Sequence, residues 1–460
     1  MRRLALSMAR FGLASTLLGA EQMASLVRPR SAAHRRHSLG ALDAVSRTAG
    51  GELGAAARMA VEAGVDLQRE WLDLASGAVT PDRFGDTVAG VARRSADALS
   101  VARPDRRGTL VRRELRNKLE VYRLVRIAQR KLDLPPAGEP FPLGPYLDRA
   151  LARGDYESLW AVEGLGHEFG SRLLRHGARR GEEPKGLLTD ALSELDGAAL
   201  GPGTLAPSTL AMLHAGFGLA TAELLLEDVD PEDLDSARRA VRAFVRICRG
   251  NCQDTHLDVA LEALGLMARC FFPASVGPMA RALADGDDRT LERYFWHGVG
   301  RAVYFLPVQF LPGYGSLANA LDLVAREAPE GPLHGDAVMG LSFAFCLVNL
   351  SDPEVLEGAL RLYGDATDTA PFADGFAAAM VMRRRMTPES DDVAEVLAHR
   401  PGADVEERWL ATVVEPYRRR WAAAEEAGTE GAEDGYGGRA IDVLYPDLDA
   451  DLDPDGDPEP

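Results

Sequence analysis

Five ionisable residues occupy one recurring place in the chain: Glu163, His214, Glu262, His297 and Asp336. Each precedes a glycine (Gly166, Gly218, Gly265, Gly300 or Gly340) by three or four positions. On a helix those spacings bring two residues onto one face, so each polar group would share a face with its glycine. Carboxylates mixed with imidazoles in an apolar setting are what general acid–base catalysis or a metal centre requires. The five are therefore candidate catalytic residues, and His167, one turn after Glu163, would join them. Buried hydrogen-bond struts between packed helices use the same residue types, and that reading stands beside the catalytic one. No H-E-x-x-H occurs and no E-x-x-H recurs, so the sequence specifies no metal site and names no cofactor.

The run Tyr294-Phe295-Trp296-His297-Gly298-Val299-Gly300-Arg301, continuing to Tyr304-Phe305, clusters aromatic rings around one histidine and one arginine. An aromatic wall with an ionisable pair suits an extended apolar or polyunsaturated ligand. Tyr294, Trp296, His297, Arg301 and Tyr304 are the candidate ligand-binding residues. The competing reading is the aromatic core of one repeat, with Arg301 bound to a neighbouring carboxylate. The G-x-G pairs Gly164–Gly166 and Gly298–Gly300 fall inside helical patterns, which excludes a dinucleotide-binding loop.

The elements that would position these residues are helices. Apolar stretches at 156–174, 210–226, 258–271, 291–305, 335–350 and 372–382 each carry a central small residue. Their glycines, with Gly375 completing the six, are spaced as helix-pair repeats are, with polar helical stretches at 233–245 and 316–325 between them. Glycine costs about 1 kcal/mol inside a helix relative to alanine, and close backbone approach is the compensation. A last helix over 405–427, with Trp409, Tyr417 and Trp421, caps the array. The expected fold is an all-α, solenoid-like helical-repeat array. Its organisation reads as a basic helical region over 1–134, a Pro/Gly-rich linker over 135–146, repeats over 147–427 and a disordered acidic tail over 428–460.

Composition narrows the function classes. The net charge is −18, yet residues 1–150 hold 25 Lys/Arg against 16 Asp/Glu, which leaves about −27 on the rest. An acidic body argues against nucleic acid as the partner, and the basic third offers weak contact with an anionic membrane surface or an acidic protein. No run of 18 uninterrupted apolar residues marks a transmembrane helix. The first residues read as an amphipathic helix and not as a signal peptide. Cys248, Cys252, Cys270 and Cys346 form no disulfide framework, which fits a soluble cytoplasmic protein. The alternating aspartates of the tail lack the terminal glutamate and flanking helices of a calcium loop.

The runs Glu163–Gly166, His214–Gly218, Tyr294–Phe305 and, more weakly, Gly340–Phe343 resemble a bacterial family encoded beside enediyne polyketide synthases. The resemblance covers about residues 140–385. It implies an accessory role in specialised-metabolite biosynthesis, holding a long apolar or polyene chain in a helical groove, and it transfers no catalytic residue. The polar line gives an alternative, an enzyme acting on such a chain. A groove that takes a partner helix gives another, a non-catalytic scaffold.

Overall fold

The structure is a computed structural model that describes residues 110–119, 121, 132–135, 139–152, 155–181, 184–196, 207–286, 288–306, 309, 316–388 and 390–430. The expectations for residues 1–109 and for the tail beyond 430 lie outside these residues. Every regular element among the described residues is helical, so the chain is all-α.

Six helices form an inner row: α1 (Asp155–Arg180), α2 (Pro207–Leu226), α3 (Leu257–Phe271), α4 (Arg289–Tyr304), α5 (Pro332–Asn349) and α6 (Ala370–Met386). Each packs against the next along the chain, and α6 also touches α2, so the row bends back on itself. These are the six apolar stretches of the sequence, lengthened by a few residues at their ends. Caps explain several of the starts. Asp288 accepts from the Leu291 N–H at 2.9 Å before α4, and Thr369 accepts from the Phe372 N–H before α6. Gly331, at φ +87, turns the chain into Pro332, whose missing N–H costs nothing in the first turn of α5.

More polar helices run between the inner ones: Leu234–Asn251, Val276–Ala284, Ser316–Glu327 and Pro353–Leu362. Leu234–Asn251 turns Ala237, Phe244, Ile247 and Cys248 into the core and leaves most of its arginines in solvent. At the end of the array, Glu406–Trp409, a π-helical turn Leu410–Val414 and Glu415–Glu430 form one continuous segment packed on α6, as a cap would. Among the described residues only Thr209–Leu226 is long and apolar enough to cross a membrane, and 72% of it is buried in the fold.

Described residues at two of the expected boundaries pack against the repeats. Within the Pro/Gly-rich stretch 135–146, described apolar residues reach the core. Phe141 and Leu143 are buried, with Phe141 edge-on to Phe169 at 5.6 Å, and Gly144–Leu151 is already helical. Residues 110–119, from the basic region, form a helix that packs on the repeats. Arg113 pairs with Asp352 and Glu354, and the Leu110 side chain lies over Gly358. The described part of the basic region is therefore built into the array.

Candidate functional site on the concave face

All six central glycines touch the backbone of a neighbouring inner helix. A Cβ added at Gly166 would collide with the Leu213 carbonyl, at Gly218 with Ala260, and at Gly265 with Phe295. At Gly300 it would meet Ala337, at Gly340 His297, and at Gly375 Met339. Two G-x-G pairs, Gly216–Gly218 and Gly298–Gly300, have a packing explanation. Two residues along a helix turn by about 200°, so Gly216 faces α1 while Gly218 faces α3, and Gly298 faces α3 while Gly300 faces α5.

These contacts fix the rotation of every inner helix. Glu163, Ala215, Glu262 and His297 each stand three residues before the glycine that meets the next helix, so the four share one register along the row. One turn on, the same face presents His167, Leu219, Leu266 and Arg301, and a further turn on, Ser171, Glu223, Cys270 and Phe305. Met339 and Phe343 continue the pattern on α5. Ten of the twelve positions from α1 to α4 are partly exposed, Glu262 and His297 being the buried pair. The face is therefore a partly open floor.

Contacts between helices follow this grid. His167 Nε2 lies 2.8 Å from Glu223 Oε2. His297 Nδ1 lies 2.6 Å from Glu262 Oε1, and Arg301 Nη1 donates to Glu262 Oε2 at 2.5 Å. Phe343 lies under both, its ring 5.7 Å from that of His297 and 5.3 Å from the Arg301 guanidinium carbon. Glu163 on α1 feels the charges of Arg301 and Glu262. In a flat row at about 8 Å per step, α1 and α4 would stand about 24 Å apart, too far for such an interaction. The row must curl, and these side chains converge on its concave side.

The two carboxylates of the shared register are driven in opposite directions. Burial raises Glu262, but the charges and hydrogen bonds of Arg301 and His297 outweigh it and bring the group to about 2. Glu163 is raised by burial, with the Glu262 charge adding to the rise and Arg301 and His167 opposing it. His167 loses affinity for its proton through burial, yet its bond to Glu223 prevails and the net shift is upward. The face thus holds a fixed anion, a carboxyl that retains its proton more readily than usual and an imidazolium stabilised by its partner. Arg301 Nε is buried and makes no hydrogen bond among the described residues.

Of the five candidate catalytic residues, the structure brings Glu163, Glu262 and His297 together and places the other two elsewhere. His214 stands four residues before Gly218, not three, which rotates it by about 100°. Its Nδ1 donates to the Leu210 carbonyl at 2.7 Å and its Nε2 accepts the Gln253 N–H at 3.1 Å. His214 is thus a strut beneath the turn into α3. Asp336 is set by Gly340, which faces backward to α4, and it meets Arg293 at 3.1 Å.

Of the candidate ligand-binding residues, Tyr294, Trp296, His297 and Tyr304 are buried and only Arg301 is partly exposed. The aromatic run is core, and Arg301 pairs with a carboxylate as the competing reading held. Sequence reasoning missed Glu223, Ala215, Leu219 and Leu266, although their fixed distances from the glycines would have marked them. The thiols of Cys248, Cys270 and Cys346 are raised by burial, Cys270 to about 12, which keeps them inert. Among the described residues no group of three or more His, Cys, Asp or Glu side chains is arranged to hold a metal ion. Comparison with family models, curated proteins and solved structures gives no match.

Proposed function

We propose that this chain is an accessory protein of specialised-metabolite biosynthesis that holds a long apolar chain on the concave face of its inner helices. The single observation that carries the reading is the composition of that floor: Ala215, Leu219, Leu266 and Phe305 give an apolar track, with the Glu163–Arg301–Glu262 cluster set into it. The link to polyketide assembly rests on the family resemblance. The ligand would lie along the partly open track, since the aromatic residues first assigned to binding are core.

The split between the two carboxylates favours one elaboration, namely that the bound chain is also acted upon. Paired carboxyl groups shifted in opposite directions divide acid and base roles. In this scheme Glu163 carries the mobile proton and the Arg301–Glu262–His297 set holds a developing charge. Titration with a fluorescent conjugated polyene fatty acid tests the binding reading. Wild type should bind it with saturable, micromolar affinity, and Leu219→Arg, which fills and charges the track, should lose at least tenfold. Equal binding by a folded Leu219→Arg variant would remove the concave face from consideration. Glu163→Gln should keep the affinity, so a loss of binding there would assign Glu163 to recognition and not to proton transfer.

A further inference from the structure

The outer helix Leu234–Asn251 carries five arginines against one aspartate, in a chain whose net charge is −18. Its counterparts are close to neutral: Val276–Ala284 holds one arginine, and Ser316–Glu327 and Pro353–Leu362 each hold one against two carboxylates. Arg239, Arg242, Arg246 and Arg249 are exposed and spaced by three, four and three residues. That spacing keeps them within about 80° around the helix and strings them over about 15 Å. The exposed Lys185 side chain passes over Gly250, 3.6 Å from where a Cβ would stand, and prolongs the line past the helix end. Asp233 and Asp288 stand at its two ends, 3.2 Å from Arg239 and 3.8 Å from Arg249, and Asp235 on the same line is taken by Arg238 at 2.8 Å. Between them Arg242 and Arg246 form no ion pair among the described residues. Elsewhere arginines between helices are given carboxylates, as Arg175 is by Glu227, Arg269 by Glu327 and Arg361 by Asp404. The line is thus a cationic surface whose counter-charge the described residues do not supply.

The same chain carries a matching anion. Residues 447–460 place a carboxylate at every second position from Asp447 to Glu459, seven in all, with no Lys or Arg among them. An extended segment of that pattern would present all seven on one side, about 6.6–6.8 Å apart. Arginines one turn apart on a helix stand at about 4.5–6 Å, a pitch their long side chains can match to such a row. The described chain ends at Glu430, and residues 431–446 give up to about 55 Å of chain, enough to pass around a compact domain. We infer that residues 447–460 dock on the Arg239–Arg249 line of the same molecule. Tethering makes the encounter intramolecular, at an effective concentration in the millimolar range. An acidic segment of another protein would reach these arginines only by displacing the chain's own. No residue of the line belongs to the floor of the inner row, so the inference is independent of the ligand proposed there.

A neutral maleimide dye on Gly456→Cys tests the inference in the full chain. Labelling is selective, because Cys248, Cys252 and Cys346 are buried and the Cys270 thiol is pushed up to about 12. At about 50 mM sodium chloride the dye should follow the slow tumbling of the whole protein. Its anisotropy should fall by half or more at about 0.5 M, where charges are screened beyond about 4 Å. Arg242→Glu/Arg246→Glu should show the low value already at about 50 mM. Arg326→Glu/Arg418→Glu, the same charge change at exposed sites off the line, should keep the high one. A low anisotropy without these two double substitutions at about 50 mM, or an equal fall in both double variants, would overturn the inference. So would a value unchanged in Arg242→Glu/Arg246→Glu, which would send the segment to another basic surface. A value that falls on dilution from about 50 to about 0.5 μM would also overturn it, by placing the segment on a second copy. The salt and dilution series on the labelled chain stand even if a double variant fails to fold.

Discussion

Arg301 Nη1 reaches across 39 residues of sequence to hold Glu262 Oε2 at 2.5 Å, and the carboxylate it holds is almost wholly buried. A buried ion pair adds little over an apolar substitute, but breaking one strands a charge and costs about 3–5 kcal/mol. Glu262→Gln should lower stability at pH 7 by that order in denaturant unfolding. The pH dependence follows from the sign of the shift. Glu262 is near 2 in the folded protein against an ordinary 4.5, so its contribution is complete above about 4.5 and disappears as pH falls towards 2. On the order of 3 kcal/mol should be lost over that window in wild type and not in Glu262→Gln.

Glycine positions give a second prediction with an internal control. Gly300→Ala would place a methyl group against the Ala337 carbonyl and force α4 and α5 apart. A loss of several kcal/mol is expected, at the upper end of overpacking effects. Gly177, inside α1, has nothing within 4 Å of a built Cβ. Gly177→Ala should stabilise by about 0.5–1 kcal/mol through helix propensity alone. Thermal unfolding of the two variants reads the contrast, and equal effects would refute the close-approach account.

The structure also shows which parts of the molecule the sequence could disclose. The repeated apolar stretches and their glycines were readable because period and composition are local properties. The register was readable in principle. Offsets of three (Glu163, Glu262, His297) and four (His214, Asp336) look alike in a list, yet differ by about 100° around a helix. Pooling them produced one line of five where the structure has a cluster of three and two separate struts. Partners were not readable. Nothing in the neighbourhood of Glu114 announces Tyr304, 190 residues away, because docking of the helix 110–119 on the array brings them together and docking leaves no local trace.

Histidine titration should dominate the acid response above pH 4. His214 is brought to about 3 by burial and the neighbouring His256, and His256 to about 4 by burial, their rings 5.1 Å apart. Both groups are lowered, so their contribution is complete above the ordinary value of about 6.5 and is lost as pH falls, towards 4 for His256 and towards 3 for His214. The unfolding midpoint of wild type should drop steadily across that interval. A His214→Gln/His256→Gln protein should start lower and stay flat, and an equally steep drop would show that other groups govern the response.

The buried contact between Glu114 and Tyr304 tests whether the helix 110–119 belongs to the repeat array. Glu114→Ala leaves the Tyr304 and Ser316 hydroxyls without their shared acceptor. A cost of about 2–4 kcal/mol on the main unfolding transition is expected. If the helix were a separate attachment, the substitution would leave that transition in place and only loosen the helix, which hydrogen exchange at residues 110–119 would report.

Helices that pack through side chains can slide, since rotamers adjust as the surfaces shear. At their glycines the inner helices here meet carbonyl to Cα, where no rotamer can adjust, so neighbouring pairs have little room to shift. The row should move as a single block. Any accommodation of a guest would then fall to the side chains standing on the floor, led by the partly exposed Leu219 and Leu266, while the frame beneath keeps its shape whether the floor is occupied or bare.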